Sequence, residues 1–253
     1  MSDDSQRLGE AGPGPRRIRG RHQSIARRAI RALGVIGKLP VVGSVKTRLS
    51  PPLDPAQAAL LYGAFLRDTL SSALRVREAA VYLFHPPAPG GAALEVPLPD
   101  GVTCVEERGA GLDNAMHGAF EQLFELGATA VVLIGADLPT LPRERIEDAF
   151  SALRSGRIDL VLGPAEDGGY YLIGLRASQP ALFENVDWGS ERVLAQTLDR
   201  ARDAGLEATL IDPWHDVDTP DDLRRLAREL EADPCLAAPA TRQTLATIAG
   251  AGL

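Results

Sequence analysis

The sequence has few cysteines, few lysines, few aromatic residues and no long apolar run. Its two cysteines, Cys104 and Cys235, lie far apart without a Cys-x-x-Cys or Cys/His cluster, which excludes a disulfide scaffold and a cysteine-built zinc site. No apolar run approaches the roughly 18 residues that a membrane-spanning helix needs, so an integral membrane protein is excluded. Before Ile30 there is no apolar region of the kind that a secretory signal requires, and we expect a cytoplasmic protein.

Positive charge is concentrated at the start of the chain. The net charge of the 253 residues is −7, but residues 1–31 hold eight arginines against three acidic residues and carry +5, while the rest carries −12. We predict that residues 1–29 form a disordered arginine-rich leader, because this segment is rich in Gly, Pro and Arg and lacks aromatic residues. The acidic body argues against bulk nucleic-acid binding, and contact of the leader with an anionic partner or a membrane surface stays open.

Lysine usage is informative because the chain has 25 arginines and only two lysines. Lys38 and Lys46 both fall in the loop after the first predicted strand. If arginine serves wherever a plain positive charge suffices, the two lysines mark places where a compact ammonium matters, and chance placement is the alternative.

From Ile30 onward, short β-rich runs alternate with helical patterns. This alternation predicts an α/β fold with a mostly parallel sheet flanked by helices, as one domain over residues 30–232 followed by a peripheral Ala/Pro-rich tail over residues 233–253. Asp54, Pro55 and Gln57 form a helix-start signal, and Thr219 with Asp222 forms a second one. Strands are predicted near residues 30–36, 80–84, 102–105, 130–134, 160–163, 170–175 and 208–211.

The loop after the first predicted strand has the composition of a phosphate-binding loop. Glycines, including Gly43, and a proline shape it, and Lys38, Lys46 and Arg48 supply three cations around Thr47. Lys46 can act as a point charge and Arg48 can bind phosphate oxygens in a bidentate way. The Walker pattern is absent, and a basic surface loop is the alternative.

Two aspartates follow predicted strands at the edge where α/β proteins bind ligands. Asp137 comes directly after the apolar central strand, and Asp218 precedes the start of the last long helix. Mg²⁺ or Mn²⁺ needs only one or two carboxylates when phosphates supply further oxygens, so this pair predicts a metal site. Capping of the turns that follow is the alternative for each.

A third loop joins the strands predicted at residues 160–163 and 170–175. Gly168 and Gly169 permit close approach of the backbone to a nucleotide, and Asp167, with Glu166 as second choice, is a candidate base or orienting group toward an acceptor hydroxyl. A hairpin turn in which Asp167 forms the turn is the competing interpretation. The Gly-x-Gly-x-x-Gly, Gly-x-Ser-x-Gly and His-Glu-x-x-His motifs are missing, which argues against dehydrogenases, serine hydrolases and zinc proteases.

Four ordered motifs resemble one bacterial family. They read Lys38-x-Pro-x-x-Gly43-x-x-Lys46-Thr-Arg48-Leu49, Gly135-x-Asp137-x-Pro139, Gly163-Pro-x-x-Asp167-Gly-Gly-Tyr-Tyr-Leu-Ile-Gly174 and Asp216-Val-Asp218-Thr-Pro-x-Asp222-Leu223. The family is GT-A-like, is catalogued as a domain of unknown function, and is associated with arsenosugar-biosynthesis-type glycosyltransferases. A more distant similarity links the chain to phospholactate guanylyltransferases. The last motif also resembles that of sugar-acid cytidylyltransferases, in which an aspartate matching Asp218 binds Mg²⁺.

The resemblance implies a nucleotide-diphospho-sugar transferase fold with a divalent metal between Asp137 and a diphosphate. Its first functional implication is glycosyl transfer from a nucleotide sugar to a small-molecule acceptor. The alternative is nucleotidyl transfer from an NTP to a phosphorylated small molecule with release of pyrophosphate. A catalytically silent nucleotide-binding module is a third hypothesis, because the chain departs from the family pattern at Ala115 and at Trp188-Gly189-Ser190.

Overall fold

The described part of the chain covers residues 31–87, 96–109 and 111–250 of a computed structural model. The predicted arginine-rich leader, residues 1–29, lies outside these described residues. Within them the chain forms seven strands, six α-helices and two short 3-10 helices.

Seven strands form one sheet in the order β3-β2-β1-β4-β6-β5-β7. The strands are β1 (Arg31–Ile36), β2 (Ala79–His85), β3 (Val102–Glu106), β4 (Ala130–Gly135), β5 (Leu160–Pro164), β6 (Tyr170–Leu175) and β7 (Ala208–Leu210). Six strands run in one direction, and β6 runs antiparallel to both of its neighbours, β4 and β5. The predicted α/β fold with a mostly parallel sheet is therefore confirmed.

Six α-helices and two short 3-10 helices surround the sheet. The α-helices are α1 (Pro55–Ala73), α2 (Leu112–Glu125), α3 (Arg143–Arg154), α4 (Val193–Asp203), α5 (Pro220–Ala232) and α6 (Pro239–Gly250), and the 3-10 helices are Thr47–Leu49 and Pro180–Phe183. Both predicted capping boxes are present, Asp54 with Gln57 at α1 and Thr219 with Asp222 at α5. Of the helices in the described segments, none is long and apolar enough to cross a membrane.

The two faces of the sheet are buried by different helices. Residues of α1 and α3, such as Leu66 and Phe150, pack on one face, and residues of α2 and α4, such as Phe120 and Ala201, pack on the other. Each fully buried Leu or Phe stabilises the fold by about 1.5–3 kcal/mol relative to an exposed position. This double cover explains why the central strand β4 reads as an unbroken apolar run.

A third apolar cluster joins the carboxyl-terminal part of the chain to α1. Leu49, Phe65, Leu226 and Ile248 are buried together, and they come from the first 3-10 helix, α1, α5 and α6 in turn. The sequence predicts a peripheral tail over residues 233–253, whereas in the structure α6 forms within this range and packs on α1. The difference arises because burial of the apolar side of α6 depends on tertiary partners that the Ala/Pro-rich composition does not reveal.

The strand register places the loops after β1 and β4 beside each other. Ile36, the last residue of β1, pairs with Gly135, the last residue of β4. A Cβ atom at Gly37 would lie 2.4 Å from the Cβ of Ala136, so glycine is required for the two loops to approach this closely. The cation-rich loop and the loop of Asp137 thus leave the sheet at the same level.

Candidate active site

Lys46 is aimed into the protein by the structure of its loop. It adopts a left-handed backbone conformation, with φ of 46°, and immediately precedes the 3-10 helix Thr47–Leu49. Leu49 is completely buried in the third apolar cluster and anchors the end of this short helix. As a result, the Lys46 side chain is only 5% exposed although it carries a charge.

The Lys46 ammonium contacts two aspartates that are far away in the sequence. Its Nζ atom donates to Asp137 Oδ2 at 2.5 Å and also donates to Asp218 Oδ1. Burial alone lowers the pKa of Lys46, but the charges and hydrogen bonds of Asp137 and Asp218 together outweigh it and hold the pKa above its ordinary value. Lys46 is therefore charged at neutral pH and binds the two carboxylates to each other.

Asp216 adds a third carboxylate that the sequence analysis did not select as a ligand. One oxygen each of Asp137, Asp216 and Asp218 lies within 4.8 Å of the others. The pKa of Asp216 is raised to about 6, chiefly by burial and then by the neighbouring charges of Asp218 and Asp137, against the opposing effect of Lys46. The sequence signal for Asp216 is its spacing of two residues from Asp218. In extended backbone, residues two apart point to the same side, and here Val217 between them points into the core.

The donor chemistry of these three carboxylates fits a hard divalent cation. Carboxylate oxygens are the ligands that Mg²⁺ and Mn²⁺ prefer, and such ions are commonly bound by a few carboxylates together with substrate phosphates. With Lys46 and Arg48 counted, the cluster has a net charge of −1 when all three carboxylates are ionised. A polyphosphate adds further negative charge, so its binding here calls for additional positive charge.

Buried polar side chains of α1 hold the loop of Asp137 in place. Thr69 Oγ1 donates to the carbonyl oxygen of Ala136 at 3.2 Å, and Ser72 Oγ donates to the carbonyl oxygen of Leu141 at 3.3 Å. Both side chains are buried, so these bonds are made in a place where water competes little. Asp137 thus lies on a loop that is fixed at both ends by α1.

The loop of Asp218 is fixed by the start of α5. Asp222 Oδ2 accepts hydrogen bonds from the backbone N–H groups of Asp218 at 3.2 Å and Thr219 at 2.8 Å. Asp222 therefore has the capping role that its position predicted, while Asp218 remains directed toward Lys46.

A cleft of about 820 Å³ lies over the aspartates and extends along the carboxyl ends of the strands. Lys38, Lys46, Thr47, Arg48, Asp137, Asp167, Gly169 and Asp218 are the predicted site residues that line it. Ala115 and Trp188-Gly189-Ser190, where the chain departs from the family pattern, line it too. Gly43 has a positive φ of 77° and open space around it, and it is a turn residue outside this lining.

Arg48 differs from Lys46 in exposure. Its side chain is 72% exposed, and its Nη1 atom lies 3.8 Å from Asp218 Oδ2. An exposed ion pair at this distance contributes little to stability. The guanidinium of Arg48 can therefore turn toward a phosphate at small energetic cost.

Tyr62 fixes the other side of the cation-rich loop. Its hydroxyl accepts a hydrogen bond from Lys38 N at 2.8 Å and donates one to Lys38 O at 3.1 Å. Burial raises the pKa of Tyr62, as do the charges of Asp137 and Glu107, so the hydroxyl keeps its proton. The backbone of Lys38 is held in place while its side chain stays exposed.

The loop of Glu166 to Gly169 is a hairpin turn between β5 and β6. Asp167 Oδ1 accepts a hydrogen bond from Gly169 N at 2.9 Å, and Ala165 N donates to Gly169 O at 3.0 Å. Glu166 forms an ion pair with Arg225 of α5 at 2.8 Å and lies outside the cleft lining. Asp167 and Gly169 border the cleft, whereas Glu166 and Gly168 contact α5 and the segment before α4.

Comparison with known proteins gives a matching family model and a similar solved structure. A family model described as "Uncharacterized protein conserved in bacteria (DUF2064)" matches residues 69–190. A candidate nucleotide-diphospho-sugar transferase from Desulfovibrio desulfuricans G20 has a similar structure, with a TM-score of 0.77 and 31% identity, over 86% of this chain and 94% of that chain.

Two curated relatives are guanylyltransferases. A 3-phospho-D-glycerate guanylyltransferase from Phenylobacterium zucineum is 30% identical over 189 residues, which are 72% of this chain and 84% of the relative. A 2-phospho-L-lactate guanylyltransferase from Methanothermobacter thermautotrophicus is 26% identical over 185 residues, which are 70% of this chain and 76% of the relative.

The sheet order, the cleft at the carboxyl ends of the strands and these relatives define a nucleotide-utilising transferase. Within that class, the chain belongs to the nucleotide-diphospho-sugar transferase family, and the DUF2064 model matches a little under half of the chain. The resemblance stated from the four sequence motifs is thereby confirmed.

Proposed function

We propose that this protein is a metal-dependent nucleotidyltransferase that joins a nucleoside monophosphate unit from an NTP to a small phosphorylated acceptor. The observation that carries this proposal is the 30% identity to a guanylyltransferase across 84% of that relative. The site supports it, because Lys46, Asp137 and Asp218 meet at the floor of one cleft. GTP is the proposed donor, in line with both curated relatives.

The reaction needs little covalent chemistry from the protein. A phosphate oxygen of the acceptor attacks the α-phosphorus of the NTP, a new P–O bond forms, and the bond from the α-phosphorus to the bridging oxygen breaks. The electron pair leaves with pyrophosphate, and no proton has to be removed from an acceptor phosphate that is already ionised. Catalysis then rests on position and on compensation of charge.

The residues of the cleft divide this work. Asp137, Asp216 and Asp218 would hold a Mg²⁺ or Mn²⁺ ion, which when bound neutralises charge on the phosphate oxygens. Lys46 keeps the carboxylates together and places a positive charge beside the phosphates, and Arg48 contacts the outer phosphates from the rim. Thr47 and Gly169 contribute to the walls of the same cleft.

Glycosyl transfer from a nucleotide sugar is a second candidate function. It is favoured by the structural similarity to the candidate nucleotide-diphospho-sugar transferase, which extends over 94% of that chain. In that reaction Asp167, at the cleft border, would orient or deprotonate an acceptor hydroxyl.

The free thiols of Cys104 and Cys235 accord with a reducing cytoplasmic location for either reaction.

Product analysis separates the two reactions. The purified protein is incubated with Mg²⁺ or Mn²⁺, a panel of NTPs or nucleotide sugars, and small phosphorylated acids such as 3-phosphoglycerate. Release of pyrophosphate that depends on GTP and on the acceptor supports nucleotidyl transfer, whereas release of a nucleoside diphosphate from a nucleotide sugar supports glycosyl transfer. Metal-insensitive binding without turnover would contradict both and favour the silent binding module. Asp137→Ala serves as the inactive control.

A further inference from the structure

One end of the cleft lies away from the aspartate cluster, over the carboxyl ends of β2 and β3. Lys38, Pro86, Glu107 and Gly111 line it there. Among the described residues that line the cleft, Glu107 is the only carboxylate at this end, since the remaining ones are Asp167 on the hairpin and the three clustered aspartates. The mechanism derived above assigns no role to Glu107.

Glu107 is held in position by the sheet. It directly follows β3, and its backbone N–H donates to the carbonyl oxygen of His85 at 2.8 Å, which continues the pairing of β2 with β3. The residue is half-buried, and burial raises the pKa of its carboxyl group against the opposing charges of His85 and Lys38. A partly desolvated carboxylate with a lysine ammonium nearby is thus fixed in the cleft wall.

The distance from this end to the metal-binding end suits one nucleotide. Asp137 follows β4 and Glu107 follows β3, and the order β4-β1-β2-β3 puts three strand spacings between them. Neighbouring strands lie about 4.8 Å apart, so the two carboxyl ends are roughly 14 Å apart. An extended nucleotide with its phosphates at Asp137 would place its base beside Glu107.

The chemistry at this end is complementary to guanine. The Watson–Crick edge of guanine carries two neighbouring donors, N1–H and the N2 amino group, next to the O6 acceptor. A carboxylate can accept from both donors at once, and an ammonium can donate to O6. Adenine has an acceptor at N1 and an amino group in place of O6, so both contacts would become unfavourable.

We infer that Glu107 and Lys38 select guanine, with the Glu107 carboxylate accepting from N1–H and N2–H and the Lys38 ammonium donating to O6. This inference rests on the proposed use of a nucleotide donor in this cleft. It makes the two residues determinants of base specificity, and it applies equally to a nucleoside triphosphate and to a nucleoside diphosphate.

The test is a calorimetric titration of GTP, ITP and ATP in Mg²⁺, without an acceptor, on the wild-type protein and on Glu107→Gln. ITP is the informative probe because hypoxanthine keeps N1–H and O6 and lacks only the N2 amino group. The wild-type protein is expected to bind GTP about tenfold more tightly than ITP, and more tightly still than ATP. In Glu107→Gln, the affinity for GTP should fall about tenfold to a hundredfold. The affinity for ATP should not fall, because the amide removes the unfavourable contact with adenine N1.

Two further variants make the test specific. Glu106→Gln is the matched control, because Glu106 is the exposed neighbour at the end of β3 and lies outside the cleft lining. It should leave all affinities unchanged. Lys38→Gln should reduce the affinities for GTP and ITP to a similar extent, since both bases carry O6. Thermal unfolding without nucleotide shows whether each variant is folded.

Several outcomes would overturn the inference. An equal loss of affinity for GTP, ITP and ATP in Glu107→Gln would place the carboxylate at the ribose. Equal affinities of the wild-type protein for the three nucleotides would show that it does not select the base. Failure of the proposed reaction gives a different result: GTP-selective binding that depends on Glu107, without release of pyrophosphate, would support the base assignment and contradict nucleotidyl transfer. Pyrophosphate release from GTP and ATP alike would support nucleotidyl transfer and contradict the base assignment.

Discussion

Two glycine-containing loops of this protein both carry charged residues but have different structural roles. The loop after β1 turns Lys46 inward against Asp137 and Asp218, so its charge becomes part of the cleft floor. The turn between β5 and β6 uses Asp167 to bind its own backbone at Gly169. Both loops follow strands at the same edge of the sheet, and both contain charged residues beside glycine.

Charged residues beside glycine indicate a ligand-binding loop only where those charges meet groups from other loops in a cleft. Lys46 is paired with aspartates from two other loops, which creates a charged cluster inside a cleft. In the turn, Glu166 is paired with Arg225 of α5, and Gly168 O accepts a hydrogen bond from Leu194 N at the start of α4. The first loop therefore brings charged groups together in the cleft, and the second mainly joins the hairpin to its neighbouring helices.

The largest effect is expected from Lys46→Met. Turnover should fall about a thousandfold, because the variant loses a preorganised charge beside the phosphates. The free energy of unfolding should fall by about 1–3 kcal/mol, because the two aspartates lose their buried partner but are themselves partly exposed to water. Mn²⁺ should stabilise the variant more than the wild type, since the three carboxylates then lack the buried ammonium that lies between them. Kinetics and urea unfolding measure these effects.

Arg77→Met is the control for Lys46→Met. Arg77 is exposed and precedes β2 at the opposite edge of the sheet, so its replacement should leave both quantities unchanged. If Lys46→Met kept turnover within tenfold of the wild type, the central role of the first loop would be contradicted.

Next in size is the difference between alanine at Gly168 and alanine at Gly43, one glycine from each loop. Both have positive φ, 87° and 77°, but a Cβ at Gly168 would lie 2.2 Å from Glu191 O, whereas a Cβ at Gly43 has nothing within 4 Å. Gly43→Ala should cost about 1 kcal/mol of unfolding free energy, and Gly168→Ala about 3 kcal/mol or more. Guanidinium unfolding would refute this reasoning if the two losses were equal.

Replacement of Asp167 tests whether this residue serves the turn or acts as a base. Asp167→Asn keeps an oxygen that can accept from Gly169 N, so it should preserve stability, while Asp167→Ala should lose about 1 kcal/mol. If the acceptor is a phosphate, Asp167→Asn should retain turnover within tenfold, because no base is needed. A loss of about a hundredfold or more would favour glycosyl transfer with Asp167 as the base.

The smallest effect is expected from Arg48→Ala. Because this side chain is largely exposed, its removal should change the unfolding free energy by less than about 1 kcal/mol. The KM for the nucleotide should rise about threefold to tenfold, through loss of a contact to the outer phosphates. Steady-state kinetics over a range of salt concentrations checks this, and an unchanged KM at low salt would remove Arg48 from the site.

Much of the fold was accessible from the sequence because its signals are local. The alternation of apolar strands and helices, and the capping boxes at Asp54 and Thr219, depend on residues that are close together in the chain. The sequence leaves the direction of β6 undecided, because the residues between Gly163 and Tyr170 fit either a ligand loop or a hairpin turn.

Part of the site could not be predicted for a related reason. Asp137 and Asp218 were selected because each follows a predicted strand, but their contacts with Lys46 span 91 and 172 residues of sequence. Asp216 was missed because its role depends on the burial of Val217, which turns both aspartates to one side. Glu107 follows the strand predicted near residues 102–105, and its neighbours in the cleft come from other loops.

The carboxylate of Asp68 links the end of the chain to the middle of α1. It is buried, and its two oxygens accept from Ala240 N at 3.1 Å and Thr241 N at 2.7 Å, the first amides of α6. Its immediate neighbour Thr69 holds the loop of Asp137. In a chain that ended after Ala232, the Asp68 carboxylate would be buried without these two partners, next to the residue that supports the loop of Asp137. The last helix therefore contributes to the stability of that loop.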